Sequence, residues 1–224
     1  MDSIAPGVYT LPLAFGPGDD DPLMYPAAVE TERGLILVDT GFPDHVEAVE
    51  THLAGAGFDP EDVALVVVTH QDADHAGALE ALASRTGATT LAHADEAPYI
   101  ERERPLLKER GYPPARVDVE LVDGVTFRTA AGDMRVVATP GHSPGHVSLY
   151  LPGERLLLAA DAITADAAFD GPEEAATPDM DAAVESVGRL ADLAVERTLC
   201  FHGGLVEHDP GRLREVYETL RDER

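Results

Sequence analysis

Four residues able to ligate a metal, His70, Asp72, Asp74 and His75, fall within the segment Thr69-His70-Gln71-Asp72-Ala73-Asp74-His75. The segment follows Val63-Ala64-Leu65-Val66-Val67-Val68, a short β-branched run without polar alternation, which predicts a buried strand. In an extended tail side chains repeat every second residue, so His70, Asp72 and Asp74 lean to one side. A turn into a helix at Asp74-His75 would carry His75 round to the same cavity. Two imidazoles and two carboxylates with no basic residue nearby in sequence call for a bound divalent cation. The bland alternative is a solvated loop in an acid-rich chain.

Three more segments place such residues at the ends of predicted strands. Thr139-Pro140-Gly141-His142-Ser143-Pro144-Gly145-His146 is a stiff turn with two histidines. Leu156-Leu157-Leu158-Ala159-Ala160-Asp161 is an apolar strand ending in one carboxylate, and Leu199-Cys200-Phe201-His202-Gly203-Gly204 one ending in an imidazole. Strand ends are where α/β proteins collect their chemistry.

With Leu37-Val38-Asp39-Thr40-Gly41 added, the motifs and their order resemble the metallo-β-lactamase-fold hydrolase superfamily from about Val8 to His202. The resemblance implies an α/β protein, a four-layer αββα sandwich forming one domain over residues 1–224, with the metal site at the edge between the sheets. It implies a first metal held by His70, Asp72 and His142, a second by Asp74, His75 and His202, and Asp161 bridging both. His146 then falls to a structural role, and Asp39 to hydrogen bonding behind the ligands. One departure stands out: Asp72 occupies the place where many members carry a second histidine. Its shorter arm and harder oxygen donor would weaken one metal position or change the metal preferred.

The implied cofactors are two divalent ions, zinc foremost, with iron or manganese as alternatives. Cations held in this way lower the pKa of a shared water toward about 7. Asp74 is the group placed to pass a proton to the leaving group. Three carboxylates and a hydroxide largely offset two dications, so a neutral small-molecule ester, thioester or lactone suits the site better than a phosphodiester. Lactonase, thioesterase and glyoxalase II-like activities stay open. The tyrosine that several lactonases place three residues after the bridging aspartate is Thr164 here, and the stretch after His202 is short for the helical segment many glyoxalase II enzymes use for glutathione. An iron-dependent redox enzyme acting on oxygen, nitric oxide or a persulfide is the alternative, and a metal-stabilised binding module a third.

Composition narrows the partners. The chain has 42 acidic and 16 basic residues and a net charge of −26, with Lys108 the sole lysine and every other basic residue an arginine. Acid spread along the whole chain is the pattern of a halophilic-type surface, where salt screens self-repulsion. No basic footprint for nucleic acid is present, and no apolar stretch is long enough to span a membrane. The N-terminus lacks the features of a signal peptide, and a cytoplasmic protein is expected. Cys200, the only cysteine, excludes an internal disulfide and reads as a core residue.

The elements that must position these groups follow from periodicity. Strands are expected at Gly7 to Leu13, Leu23 to Glu30, Leu35 to Asp39, Thr89 to Ala92, Val119 to Val122, Val125 to Thr129, Met134 to Ala138, Val147 to Leu151 and Leu156 to Ala159. Helices are expected at Pro43 to Ala54, Ala76 to Ser84, Asp181 to Leu193 and Arg212 to Leu220. The charged, proline-bounded stretch Pro98 to Pro114 is expected to be helical from Ile100 to Glu109 and to overhang the site. His45 and His52 are expected to face solvent, His93 to follow a strand with a chance of bordering the pocket, and His208 to sit in an exposed turn.

Overall fold

The unbroken apolar runs are strands with both faces covered. A computed structural model describes residues 1–16, 21–108, 110–166 and 168–224. In chain order the first half contributes β1 (Asp2–Ala5), β2 (Val8–Thr10), the short pair β3 (Leu13–Ala14) and β4 (Leu23–Met24), β5 (Ala27–Thr31), β6 (Gly34–Val38), β7 (Val63–Val68), β8 (Thr89–His93) and β9 (Val119–Leu121). The second half contributes β10 (Thr126–Thr129), β11 (Gly132–Ala138), β12 (Val147–Leu151), β13 (Leu156–Ala160), β14 (Arg197–Cys200) and β15 (Gly204–Glu207). The helices are α1 (Val46–Gly55), α2 (Ala73–Ala76), α3 (Leu79–Thr86), α4 (Ala97–Ile100), α5 (Met180–Ala191) and α6 (Arg212–Asp222).

Two large sheets result, in the orders β1-β2-β5-β6-β7-β8-β9 and β10-β11-β12-β13-β14-β15. Strands β6 to β9 are parallel, so the ends of β6, β7 and β8 share one edge. The second sheet is antiparallel except for β13 and β14, whose parallel pairing brings Asp161 and His202 to one edge as well.

Alternation of side chains divides the residues among three cores. Ile36, Val38 and Val67 of the first sheet meet Leu149, Leu158 and Leu199 of the second in the central layer. Their neighbours Leu35, Leu37, Val66 and Val68 face outward onto Val49 and Leu53 of α1 and Leu79 and Leu82 of α3. On the far side Leu157 and Ala159 pack with Val187 and Leu190 of α5 and Leu213 and Val216 of α6. The order is therefore helix, sheet, sheet, helix, the expected αββα sandwich. Each fully buried Leu, Ile or Val in these layers contributes about 1.5–3 kcal/mol of transfer free energy. Cys200 is fully buried among the third group, and burial pushes its thiol pKa up.

Several local expectations change. The predicted helix from Ala76 is two helices, α2 and α3, with Gly77 between them; a Cβ there would lie 2.2 Å from the Ala73 carbonyl and 2.8 Å from that of Gly41. The predicted strand from Gly7 to Leu13 splits into β2 and β3, and that from Leu23 to Glu30 into β4 and β5. Pro26, which lacks an N–H, lies in the second break. The helix expected from Ile100 to Glu109 is absent over its described part. Instead α4 stops at Ile100, Arg102 turns left-handed at φ 63°, and its guanidinium donates to the carbonyls of Tyr99 and Ile100. Those acceptors belong to the helix's last turn, and Pro105 follows soon after. Glu109 lies outside the described residues. Among the described residues no helix is long and apolar enough to cross a membrane.

Candidate metal centre

The strand ends bring the ligand-type residues together. His70 and Asp72 extend from β7, Asp74 and His75 lie in α2, His142 sits in the turn between β11 and β12, Asp161 follows β13 and His202 follows β14. They form two groups: His70, Asp72, His142 and Asp161, all buried, and Asp74, His75 and His202. Within each group the candidate ligand atoms lie within 4.8 Å of one another. Asp161 faces both. Its Oδ2 is 3.3 Å from His142 Nε2 and 3.8 Å from His70 Nε2, while its Oδ1 is 3.1 Å from His75 Nε2 and 3.8 Å from His202 Nε2.

Local backbone geometry aims these groups. Asp39, at the end of β6, and Ala160, just before Asp161, both have positive φ, 62° and 48°. Aspartate tolerates that region, whereas alanine there is strained by about 1–2 kcal/mol, so packing must enforce the turn that swings Asp161 inward. Gly141 has φ 137°, and a Cβ on it would lie 2.4 Å from the backbone nitrogen of Ala183 in α5. Gly141→Ala is expected to cost about 2–4 kcal/mol, read as a lower denaturant midpoint with unchanged m.

Hydrogen bonds behind the ligands fix which ring nitrogen faces the site. Asp39 Oδ1 accepts from the Thr69 N–H at 2.8 Å, and its Oδ2 accepts from the Thr69 hydroxyl and from His75 Nδ1–H, each at 2.8 Å. The Thr69 hydroxyl oxygen in turn lies 3.2 Å from His70 Nδ1. Both rings are left with Nε2 pointing inward, as metal ligation requires. His146 is occupied at both nitrogens: Nδ1 meets Thr139 Oγ1 at 2.8 Å, and Nε2 accepts from the Asp161 N–H at 3.2 Å. It positions Asp161 and has no nitrogen to spare.

Carboxylates and imidazoles packed together dominate the electrostatics of the site. Burial alone would lower the pKa of His75, but the carboxylates of Asp161, Asp39 and Asp74 outweigh it and hold His75 well above the usual imidazole range. Burial likewise opposes ionisation of Asp161, and the charges of His75, His142 and His70 override it, keeping its carboxyl well below the usual range. His146, buried and facing other imidazoles, is pushed well below its usual value.

The fit to a metal rests on stranded atoms. His70 Nε2, His75 Nε2 and Asp161 Oδ1 are buried and have no hydrogen-bond partner, although carboxylate oxygens lie 3.1–3.8 Å from the two nitrogens. A buried polar atom left unpaired costs about 1–3 kcal/mol. Close but misaligned donors of this kind are satisfied together by a cation between them, and nitrogen and carboxylate ligands suit a divalent metal.

Some supporting residues were not singled out from the sequence. Glu96 is fully buried; its Oε2 accepts from the Gln71 N–H and its Oε1 from the Gly145 N–H, both at 2.8 Å, so one carboxylate ties the His70 loop to the His142 loop. Lys108 places its ammonium against Asp72 Oδ2 and 3.0 Å from His142 Nε2. The cation missing from the local sequence thus arrives from 36 residues away. Its signal was that it is the one lysine in a chain otherwise using arginine. Glu96 had no comparable signal.

The other histidines stand apart. His45 and His52 do not face solvent as expected. Both are half-buried: His45 Nδ1 accepts from the Phe42 N–H, and His52 Nε2 lies 2.8 Å from the Pro12 carbonyl. His208 is also half-buried, with Nε2 2.9 Å from Thr198 Oγ1 and its ring tilted against Phe169. His93 is not in the wall of the cavity above the site.

That cavity has a volume of about 960 Å³. Phe15, Phe42, Leu106, Met180 and Leu220 form apolar parts of its wall, and Asp72, Asp74, His142, Asp161 and His202 lie at its base.

Known proteins resemble this chain in sequence and in fold. The N-acyl homoserine lactonase of Bacillus cereus is 29% identical over 212 residues, which cover 82% of this chain and 81% of the lactonase. A Bacillus subtilis (strain 168) protein named "Probable metallo-hydrolase YflN" is 28% identical over 209 residues, 76% of either chain. The crystal structure of the metallo-beta-lactamase family protein TTHA1429 from Thermus thermophilus superposes with a TM-score of 0.78 at 26% identity, covering 99% of this chain and 80% of that one. A family model matches residues 27–202, a span running from β5 to the histidine after β14, and with it the chain belongs to the metallo-beta-lactamase superfamily.

Proposed function

We propose that this protein is a metal-dependent hydrolase that cleaves a small, uncharged ester, thioester or lactone, using two divalent cations, zinc foremost, held by the five residues at the cavity base together with His70 and His75 buried behind them. The observation that carries the reading is the set of stranded ligand atoms, His70 Nε2, His75 Nε2 and Asp161 Oδ1, buried beneath a cavity large enough for a small substrate. Hydrolytic relatives, among them a lactonase, support the reaction class. Bound cations would supply Lewis acidity and a water with a pKa near about 7.

The chain's own residues do the rest. Asp39 and Thr69 keep the His75 and His70 rings turned toward the site. Asp74 is partly exposed in the cavity wall, and its Oδ2 lies 3.2 Å from His202 Nε2. Burial raises its pKa less than His75 and His202 lower it, so it stays ionised and would have to take up the proton of the attacking water before passing one to the leaving group. The apolar walls displace water from the substrate, and with the three carboxylates offsetting most of the charge of two bound dications the site would have little net positive charge to attract a polyanion.

The test is protein purified in high salt, assayed for metal content and against a panel of lactones, esters, thioesters and phosphodiesters. About two divalent ions per chain and a carbonyl substrate turned over at least about a hundredfold faster than any phosphodiester are expected. Preference for phosphodiesters would overturn the substrate class. Bound iron with consumption of oxygen, nitric oxide or a persulfide, and no hydrolysis, would replace hydrolysis with redox chemistry.

A further inference from the structure

Between β8 and β9 the chain carries its only lysine into contact with two candidate ligands of one metal position and none of the other. Lys108 Nζ lies against Asp72 Oδ2 and 3.0 Å from His142 Nε2. Among the described residues no lysine or arginine forms an ion pair with Asp74 or Asp161. We propose that Lys108 is a resident cation of the first metal position, so that the two positions differ in affinity and fill in order, Asp74-His75-His202 before His70-Asp72-His142. The inference rests on the metal centre proposed above.

The ammonium is held over the site by its flanks. Leu107 N–H donates to Gln71 Oε1 at 2.9 Å, and the Tyr112 hydroxyl donates to the Gln71 carbonyl at 2.7 Å. The guanidinium of Arg102 donates to the Tyr112 carbonyl at 2.7 Å. Gln71 is itself gripped by Glu96. Both sides of Lys108 are therefore fastened to the residue lying between His70 and Asp72.

Asp72 gives the ammonium a reason to be there. A neutral imidazole at that place would offer no charge to pair, whereas a carboxylate only 7% exposed requires a counter-charge. A lysine supplies a compact point charge on a flexible stem, unlike the planar fork of an arginine. A dication entering the first position must break the two Lys108 contacts and then sit beside a displaced positive charge. The Lys108 side chain is 39% exposed, which leaves it an outward path into the cavity it helps to line. The second position carries no such cost.

The full-length protein, stripped of metal by chelation in high salt, is titrated with zinc by calorimetry and native mass spectrometry. The wild type is expected to load one ion tightly and a second at least about tenfold more weakly. Lys108→Met, of similar length without charge, narrows that gap to under about threefold, and Lys108→Gln does the same, whereas Lys108→Arg keeps it. His142→Ala removes the weak step and His202→Ala the tight one. Equal affinities in the wild type, or a gap unchanged in both Lys108→Met and Lys108→Gln, overturns the proposal and leaves the metal centre standing. Failure of every protein to bind zinc, manganese or iron removes the metal centre along with it.

Discussion

Asp161→Asn is expected to strip metal from both positions and to lower kcat/KM by at least about a thousandfold. The size follows from geometry. One carboxylate oxygen serves His70 and His142 and the other serves His75 and His202, and among the described residues no other carboxylate pairs with histidines of both groups in this way. Asparagine keeps the volume but removes the charge, and its NH₂ has no lone pair to offer a cation. The backbone turn at Ala160 and the Asp161 N–H bond to His146 survive, so the protein should fold. Elemental analysis after dialysis and steady-state assay of the best substrate from the panel give the two readouts. Wild-type metal content with wild-type turnover would show that Asp161 does not join the positions.

Asp39→Ala is expected to weaken zinc binding about 10–100-fold without removing a ligand, equivalent to about 1.4–2.7 kcal/mol. Asp39 Oδ2 is the acceptor that fixes His75 Nδ1–H, and its Oδ1 satisfies the Thr69 N–H at the start of the His70 loop. Truncation leaves both buried donors without that acceptor, which costs about 1–3 kcal/mol of stability in the metal-free protein as well. Alanine also tolerates φ 62° less well than aspartate. Asp39→Asn retains an acceptor and the backbone preference, so it should fall between wild type and alanine. A chelator competition measures the affinity and a melt of the metal-free protein the stability. Unchanged zinc affinity in Asp39→Ala would mean that His75 is oriented by other contacts.

Much of the architecture could be read before any coordinates, for a simple reason. Buried strands need apolar residues on consecutive positions, and Val66-Val67-Val68 and Leu156-Leu157-Leu158 supply them to two different cores at once. Helices α1, α5 and α6 followed from spacing in the same way. Prediction failed where a local interaction overrides periodicity. The stretch after Ile100 has helical composition, yet the Arg102 side chain takes the carbonyls that a helix would need. Gly77 lies between α2 and α3 with helical dihedrals of its own, at a place where neighbouring carbonyls leave no room for a Cβ.

At the site the division has the same origin. His70, Asp72, Asp74, His75, Asp161 and His202 could be nominated from residue type and place, since imidazole and carboxylate chemistry and the end of an apolar run are both visible in one dimension, whereas the choice of His142 over His146 came from the family resemblance. Of what surrounds them, only the hydrogen-bonding role of Asp39 was implied beforehand, by the family resemblance, and its partners were not. Asp39 grips Thr69 and His75, Glu96 clasps two loops, and Lys108 reaches Asp72 and His142, across separations of 25 to 49 residues. Those pairings depend on which loops the packed sheets bring to one edge, and no local pattern encodes that. Side-chain identity and the family resemblance named the candidate ligands; only the close approach of distant loops placed one ammonium beside them and left three of their atoms without a partner.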